Sequence, residues 1–146
     1  MPSVAEFLAA EHRQCDDGFA AAEEAAHLAD LAGCRARFPL FQVAMERHFQ
    51  KEEDTLFPAF EQATGNAMGP TRVMRLEHRQ MRDALAEMSN ALAGGDLEDY
   101  LGQAETLLIL MQQHNIKEEQ ILYPMCDQIL GAAAAGMIQA MQDRPA

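Results

Sequence analysis

Basic residues are scarce in this chain: lysine and arginine total 11 against 23 aspartates and glutamates, giving a formal charge of −12 and a pI near 4.7. A nucleic-acid backbone or an anionic membrane surface would need a concentrated basic face, so neither is expected as a partner, whereas a cation is. Cysteine is scarce as well. Cys15, Cys34 and Cys126 are odd in number and unrelated in spacing, which excludes a disulfide framework and a zinc-ligand pattern and leaves reduced thiols in a cytosol-like compartment. Met1-Pro-Ser-Val-Ala-Glu6 has no basic, apolar leader character, and the apolar run from Leu107 to Met111 is too short to span a bilayer. A cytoplasmic location and no membrane are therefore expected. Alternating apolar and polar runs are also lacking, which leaves strands without a signal.

What is present favours helix. Alanine, leucine, methionine, glutamate and glutamine dominate, and 49% hydrophobic residues with 23% charged suit a single globular domain over residues 1–146. Ser3 and Glu6 have the spacing of a capping box, which starts a first helix running to Ala32, with Gly33 as its stop. A second helix, Arg37 to Thr64, takes Pro39 in its first turn and is expected to bend at Pro58, which lacks the N–H its turn needs. Gly65-Asn66 and Gly69-Pro70 mark a loop, and a third helix starts near Pro70 and ends before Gly94. Asp96 is the expected cap of a fourth, which bends at Pro124 and is followed by a short helical tail from Ala132 to Met141. Four such helices with short connections predict an all-α, up-down-up-down bundle.

The chain also repeats itself. His48-Phe-Gln-Lys-Glu52-Glu53-Asp-Thr-Leu56-Phe57-Pro58 is matched 66 residues on by His114-Asn-Ile-Lys-Glu118-Glu119-Gln-Ile-Leu122-Tyr123-Pro124, and at the same offset Glu11-His12-Arg13-Gln14 recurs in Glu77-His78-Arg79-Gln80. The pseudo-repeats, about 4–65 and 70–131, predict two equivalent hairpins related by a pseudo-two-fold axis. Each motif then meets its twin across the core.

Residues four apart share a helical face, so His48 with Glu52 and His114 with Glu118 point the same way. Their stripes are otherwise apolar: Phe41, Ala44, Met45 and Leu56 on the second helix; Leu107, Leu110, Met111, Ile121 and Leu122 on the fourth. His12 lies among Val4, Phe7, Leu8 and Cys15, and His78 among Val73, Met74, Met81, Leu85, Met88 and Leu92. Two carboxylates aimed at a dry interior without a partner would cost several kcal/mol or protonate. Two divalent or trivalent ions remove the difficulty, with imidazoles of His12, His48, His78 and His114 supplying nitrogens and Glu52 and Glu118 spanning both.

This pattern of single histidines, paired His-x-x-x-Glu motifs and the Leu-Phe-Pro or Leu-Tyr-Pro that follows resembles the hemerythrin-like, or HHE cation-binding, family over nearly the whole chain. The resemblance implies a non-haem di-iron centre that reacts with O₂, nitric oxide or peroxide, in stress response, sensing or iron handling. It places His12 and His48 on one iron, His78 and His114 on the other, and Glu52 and Glu118 between them, with an oxo, hydroxo or water bridge. Two positions depart from the oxygen-carrying hemerythrins. Those proteins have a second histidine one turn from the third motif, where this chain has Met74 and Arg82, and an aspartate five residues after the last histidine, where this chain has Glu118 after four. The departures imply two nearly symmetric metals, each with room for a ligand, which suits sensing, scavenging or iron donation better than reversible carriage.

Two alternatives stand beside that reading: a metal-gated sensor acting through protein partners without catalysis, and a zinc or manganese pair that only holds the fold together. Blander roles are expected elsewhere. Glu11, Glu53, Glu77 and Glu119 read as solvated or supporting residues, His27 as a surface histidine, and the ten methionines as core filler. Tyr123 is able to hydrogen-bond near the metals, but its twin Phe57 favours packing, and Cys15, one turn after His12 and within reach of the pocket, reads as a buried inert thiol.

Overall fold

The computed structural model describes residues 2–144 and is helical almost throughout. Helices α1 (Val4–His27), α2 (Leu31–Lys51), α3 (Phe57–Thr64), α4 (Pro70–Ala93), α5 (Leu97–Lys117), α6 (Tyr123–Leu130) and α7 (Ala134–Gln142) follow one another, and two five-residue π turns, Glu52–Leu56 and Glu118–Leu122, join α2 to α3 and α5 to α6. The bundle therefore has four long members: α1, α2 with α3, α4, and α5 with α6. α1 pairs with α2 and α4 with α5 as hairpins, and the square closes through α1 against α5 and α2 against α4.

The first hairpin turn comes earlier than the sequence suggests. α1 stops at His27, Ala29 takes a left-handed conformation (φ 57°), and the Asp30 carboxylate accepts from the Gly33 N–H at 2.9 Å to start α2 at Leu31. Gly33 thus lies in the first turn of a helix rather than after the end of one, and Pro39 sits inside α2, not at its start. The physical reason is the Asp30 cap, which satisfies the early N–H groups before Arg37 is reached. The same turn in the second half uses Gly95 (φ 71°) and Asp96, 66 residues after Ala29 and Asp30.

The expected proline bends take the form of the two π turns. The N–H groups of Phe57 and Tyr123 bond five residues back, to the carbonyls of Glu52 and Glu118. Widening the turn lets the chain pass Pro58 and Pro124 at the start of the next helix, where no N–H is required. It also turns two adjacent residues inward, Leu56 with Phe57 and Leu122 with Tyr123. Val73 and Ile121, expected on the inner stripes, are instead 44% and 57% exposed, because each lies one position off the face that the buried Met74 and Leu122 occupy.

Ser3 and Glu6 form the expected capping box, and the α1 N-terminus is further tied to α6 by the Asp127 carboxylate, which accepts from Val4 and Ala5 N–H at 2.8 and 3.1 Å. Glu61, the twin of Asp127, ties α3 to the start of α4 by accepting from the buried Thr71 hydroxyl at 2.6 Å. The tail helix α7 packs Ile138 and Met141 on the bundle. The continuous run Leu97–Gln142 contains an 18-residue window of mean hydropathy 1.3, enough by length and composition to cross a membrane, yet the same run carries the buried His114 and Glu118 of the core.

The apolar core is in two pieces. One, around Phe19, Phe38, Phe41, Phe49, Met81, Met88 and Leu107, fills the hairpin-turn end; the other, around Val4, Leu8, Leu56, Phe57, Phe60, Leu122 and Met141, fills the opposite end. A polar layer belonging to neither cluster contributes His12, His48, Glu52, His78, His114 and Glu118, all at 3% exposure or less.

Candidate metal centre

All six residues singled out in the sequence meet in that layer. One ligand atom from each of Glu52, His78, His114 and Glu118 falls within 4.8 Å of the others, and the same holds for His12, His48 and Glu118, so Glu118 belongs to both groups. Glu52 also touches both histidine pairs: its Oε1 lies 3.0 Å from His78 Nε2 and 3.3 Å from His48 Nε2. Glu118 Oε1 is placed likewise, 3.0 Å from His12 Nε2 and 3.2 Å from His114 Nε2.

The outward-facing nitrogen of every imidazole is held by its own carboxylate. Nδ1 of His48 and of His114 meets Glu11 and Glu77 of the neighbouring helix in the same hairpin, both at 2.9 Å, and Nδ1 of His78 and of His12 meets Glu53 and Glu119 of the other hairpin, at 2.7 and 2.8 Å. An ionised carboxylate only accepts, so Nδ1 is the donor in each pair, and a ring that stays neutral turns a bare Nε2 lone pair inward. The four glutamates expected to be solvated or supporting are thus the supports that set tautomer and ring orientation. Lys51 pairs with Glu11 and Lys117 with Glu77, repeating the arrangement in both halves.

The interior holds an excess of acceptors. His12 Nε2 and His48 Nε2 face each other at 3.1 Å, and Glu52 Oε1, Glu118 Oε2, His78 Nε2 and His114 Nε2 make no hydrogen bond despite full burial. The Tyr123 hydroxyl has three acceptors around it: Glu52 Oε2 at 2.7 Å, Glu118 Oε1 at 2.9 Å and His12 Nε2 at 3.1 Å. Its single proton serves one at a time. Tyr123 is therefore a site residue that the sequence reading assigned to packing, and its departure from the repeat, tyrosine against Phe57, was the signal available.

The electrostatics point the same way. Burial opposes charge on Glu118, but the His114 charge and hydrogen bonds with Glu52, His114 and His12 hold its carboxyl well below the usual range. Burial also opposes protonation of His48 and His78, yet Glu52 above all, with Glu11 and Glu53, lifts His48 well above its ordinary value and His78 to about 9. The layer is negative enough to draw protons onto imidazoles when nothing else positive is present. Burial, with the charges of Glu118 and Glu52, pushes the Tyr123 hydroxyl well above 10, so it keeps its proton.

The expected near-symmetry of the two halves stops at the ligand layer. Phe49 and Phe57 stack on His78 at 4.2 and 5.7 Å, whereas Tyr123 stacks on His12 at 5.6 Å. Arg82 binds both oxygens of Glu53 at 2.8 and 2.9 Å, which with His78 lowers the Glu53 carboxyl to about 2 against the effect of burial. At the repeat-related position stands Asp16, whose carboxyl is raised by burial and by Glu119, against the pull of His12. His27 is exposed at the end of α1, away from the layer, and Cys15, Cys34 and Cys126 are free and buried, with burial pushing the Cys15 thiol to about 11.

Four helices closing on a buried layer of imidazoles and carboxylates with surplus lone pairs define a metal-binding helical bundle. The chain belongs to the hemerythrin HHE cation binding domain family, whose sequence profile matches residues 3–126. No curated protein and no solved structure matches the chain.

Proposed function

We propose that the chain is a non-haem di-iron protein that binds or reacts with O₂, nitric oxide or peroxide, in stress response, sensing or iron handling. His12 and His48 hold one ion, His78 and His114 the other, and Glu52 and Glu118 span both. The supporting observation is that four imidazoles, each with Nδ1–H given to a carboxylate, aim bare Nε2 atoms at further acceptors 3.0 to 3.3 Å away. Ligand atoms about 2.1 Å from one ion and at right angles lie about 3.0 Å apart, so a cation turns this repulsive packing into coordination. Nitrogen-rich donors with two carboxylates suit iron, zinc or manganese over magnesium or calcium.

When bound, an iron pair supplies one-electron steps and open positions for a small ligand. The protein contributes the rest. Its two apolar clusters exclude bulk water above and below the layer, the glutamate supports fix the imidazoles, and the Tyr123 O–H offers the hydrogen bond that a ligand oxygen or nitrogen entering the layer would accept. The free buried thiols support a cytoplasmic location.

Anaerobic loading with ferrous iron followed by air tests the reading. Two irons per chain and a near-ultraviolet oxo-bridge band are expected, with no such band for zinc; failure to retain a second ion, or no band from iron, overturns it. Turnover of peroxide or nitric oxide supports a reacting centre, whereas a change of partner or oligomer on oxidation without turnover replaces it with a sensor.

A further inference from the structure

We propose that cations enter and leave the buried pair through the His12 side of the bundle, with Glu119 as the moving gate. This rests on the metal reading above. Residues 46, 49, 53 and 82 surround His78, and their counterparts in the repeat are 112, 115, 119 and 16. The first set forms a lid: a depression of about 340 Å³ between Gln42, Val43, Glu46, Arg82 and Leu85 lies outside it and does not reach Glu53. Arg82 bonds Glu46 at 2.9 and 3.1 Å as well as both oxygens of Glu53, its guanidinium lies 5.2 Å over the Phe49 ring, and Phe49 covers His78.

The second set, Gln112, Asn115, Glu119 and Asp16, lines an open cavity of about 400 Å³ together with Ile116 and Gln120. Three of the four lid components have been replaced, the cation by an anion, the aromatic by an amide and the anchoring glutamate by a glutamine, while Glu53 is matched by Glu119 itself. A second depression, between Ala5, Ala9 and Arg13, reaches the other flank of Glu119. The Glu119 side chain is 42% exposed, against 17% for Glu53.

To open, Glu119 needs only to release His12 Nδ1 and rotate, a side-chain motion with no second anchor to break among the described residues. Opening at Glu53 requires breaking, besides its bond to His78, a bidentate charge-assisted pair with an Arg82 that Glu46 and the Phe49 ring hold in place. In the cavity of about 400 Å³, which Arg13 does not line, the field points the same way, since Asp16 with Glu119 attracts a cation while Arg82 repels one.

The test transplants the lid. Protein loaded anaerobically with ferrous iron is mixed with excess of a chromophoric ferrous chelator, and the extraction rate is read alongside iron content and circular dichroism. Asp16→Arg, which recreates the Arg82 clamp on Glu119, is expected to slow extraction about tenfold at unchanged iron content, the factor for one charge-assisted bond that must break first. Asn115→Phe recreates the aromatic cover, should slow it in the same direction, and decides the matter if Asp16→Arg does not fold. Arg82→Gln should speed extraction by opening a second route. Wild-type rates in both transplanted variants, at wild-type iron content, overturn the gate; a wild-type protein that holds no iron at all overturns the metal reading and the gate with it.

Discussion

Each hairpin carries the same three inward groups and the same two supporting glutamates, yet the flanks of His78 and His12 differ. Around His78 the second layer is sealed by Arg82 and Phe49. Around His12 it holds Asp16, Asn115 and a half-exposed Glu119, with Tyr123 in place of Phe57. Atoms aimed at a shared ion leave little freedom, because moving one lone pair strands the others in an apolar interior. Groups one layer out tolerate exchange, and that is where the halves have parted.

The deepest break in the comparison is removal of a shared group. Glu118→Ala should abolish retention of both ions and His48→Ala retention of the ion His48 holds with His12, each lowering stability by about 3–5 kcal/mol, since the remaining charges stay buried without their partner. Metal analysis and denaturant unfolding check this; normal metal content in either variant would falsify the shared layer.

Acidity sharpens the comparison next. In the metal-free protein His78 has its folded value raised from 6.5 to about 9. Its contribution is complete below pH 6.5 and disappears as pH rises through about 9, so metal-free melting temperature should fall across that window. The loaded protein should not show this fall, because ligand nitrogens must be unprotonated to bind metal. Parallel pH profiles of the two forms would sink the argument. In acid the sign reverses: Glu53, lowered from 4.5 to about 2, contributes above pH 4.5, and that contribution is lost as pH falls through 2.

Tyr123→Phe makes the second half like the first. It removes a hydroxyl donor that three buried acceptors share, Glu52, Glu118 and His12. The metal-free protein should lose about 1–3 kcal/mol while metal stoichiometry stays the same. An unchanged denaturation midpoint would mean the hydroxyl is incidental.

Ala29→Gly copies the second hairpin turn into the first. Ala29 has φ 57° where Gly95 has φ 71°, and relieving that left-handed conformation should raise stability by about 1 kcal/mol. Thermal melts resolve it. The smallest effect belongs to His27→Ala, which should leave metal content and melting temperature as they are, because this exposed ring stands outside the layer.

Much of this was legible from spacing. A helix repeats every 3.6 residues whatever surrounds it, so His48 with Glu52, His114 with Glu118 and their apolar stripes declared one inward face each, and the 66-residue repeat brought the other histidines in. The early turn at Ala29 and Asp30 was legible too, through Gly95 and Asp96 of the other half, but only by aligning turn against turn. The π turns were visible only as prolines, because a missing N–H calls for a local adjustment without naming which one.

Backbone periodicity is local, and so the helices, the duplication, the bundle class and the six inward residues followed from the order of amino acids alone. The bond from Glu119 to His12 joins residues 107 apart in the chain, and that from Glu53 to His78 joins two different hairpins. Which glutamate supports which imidazole, that the Tyr123 hydroxyl enters the layer, and that one flank is clamped while the other is open were decided by how four helices rotate and settle against one another, a property of packing that no helical repeat encodes.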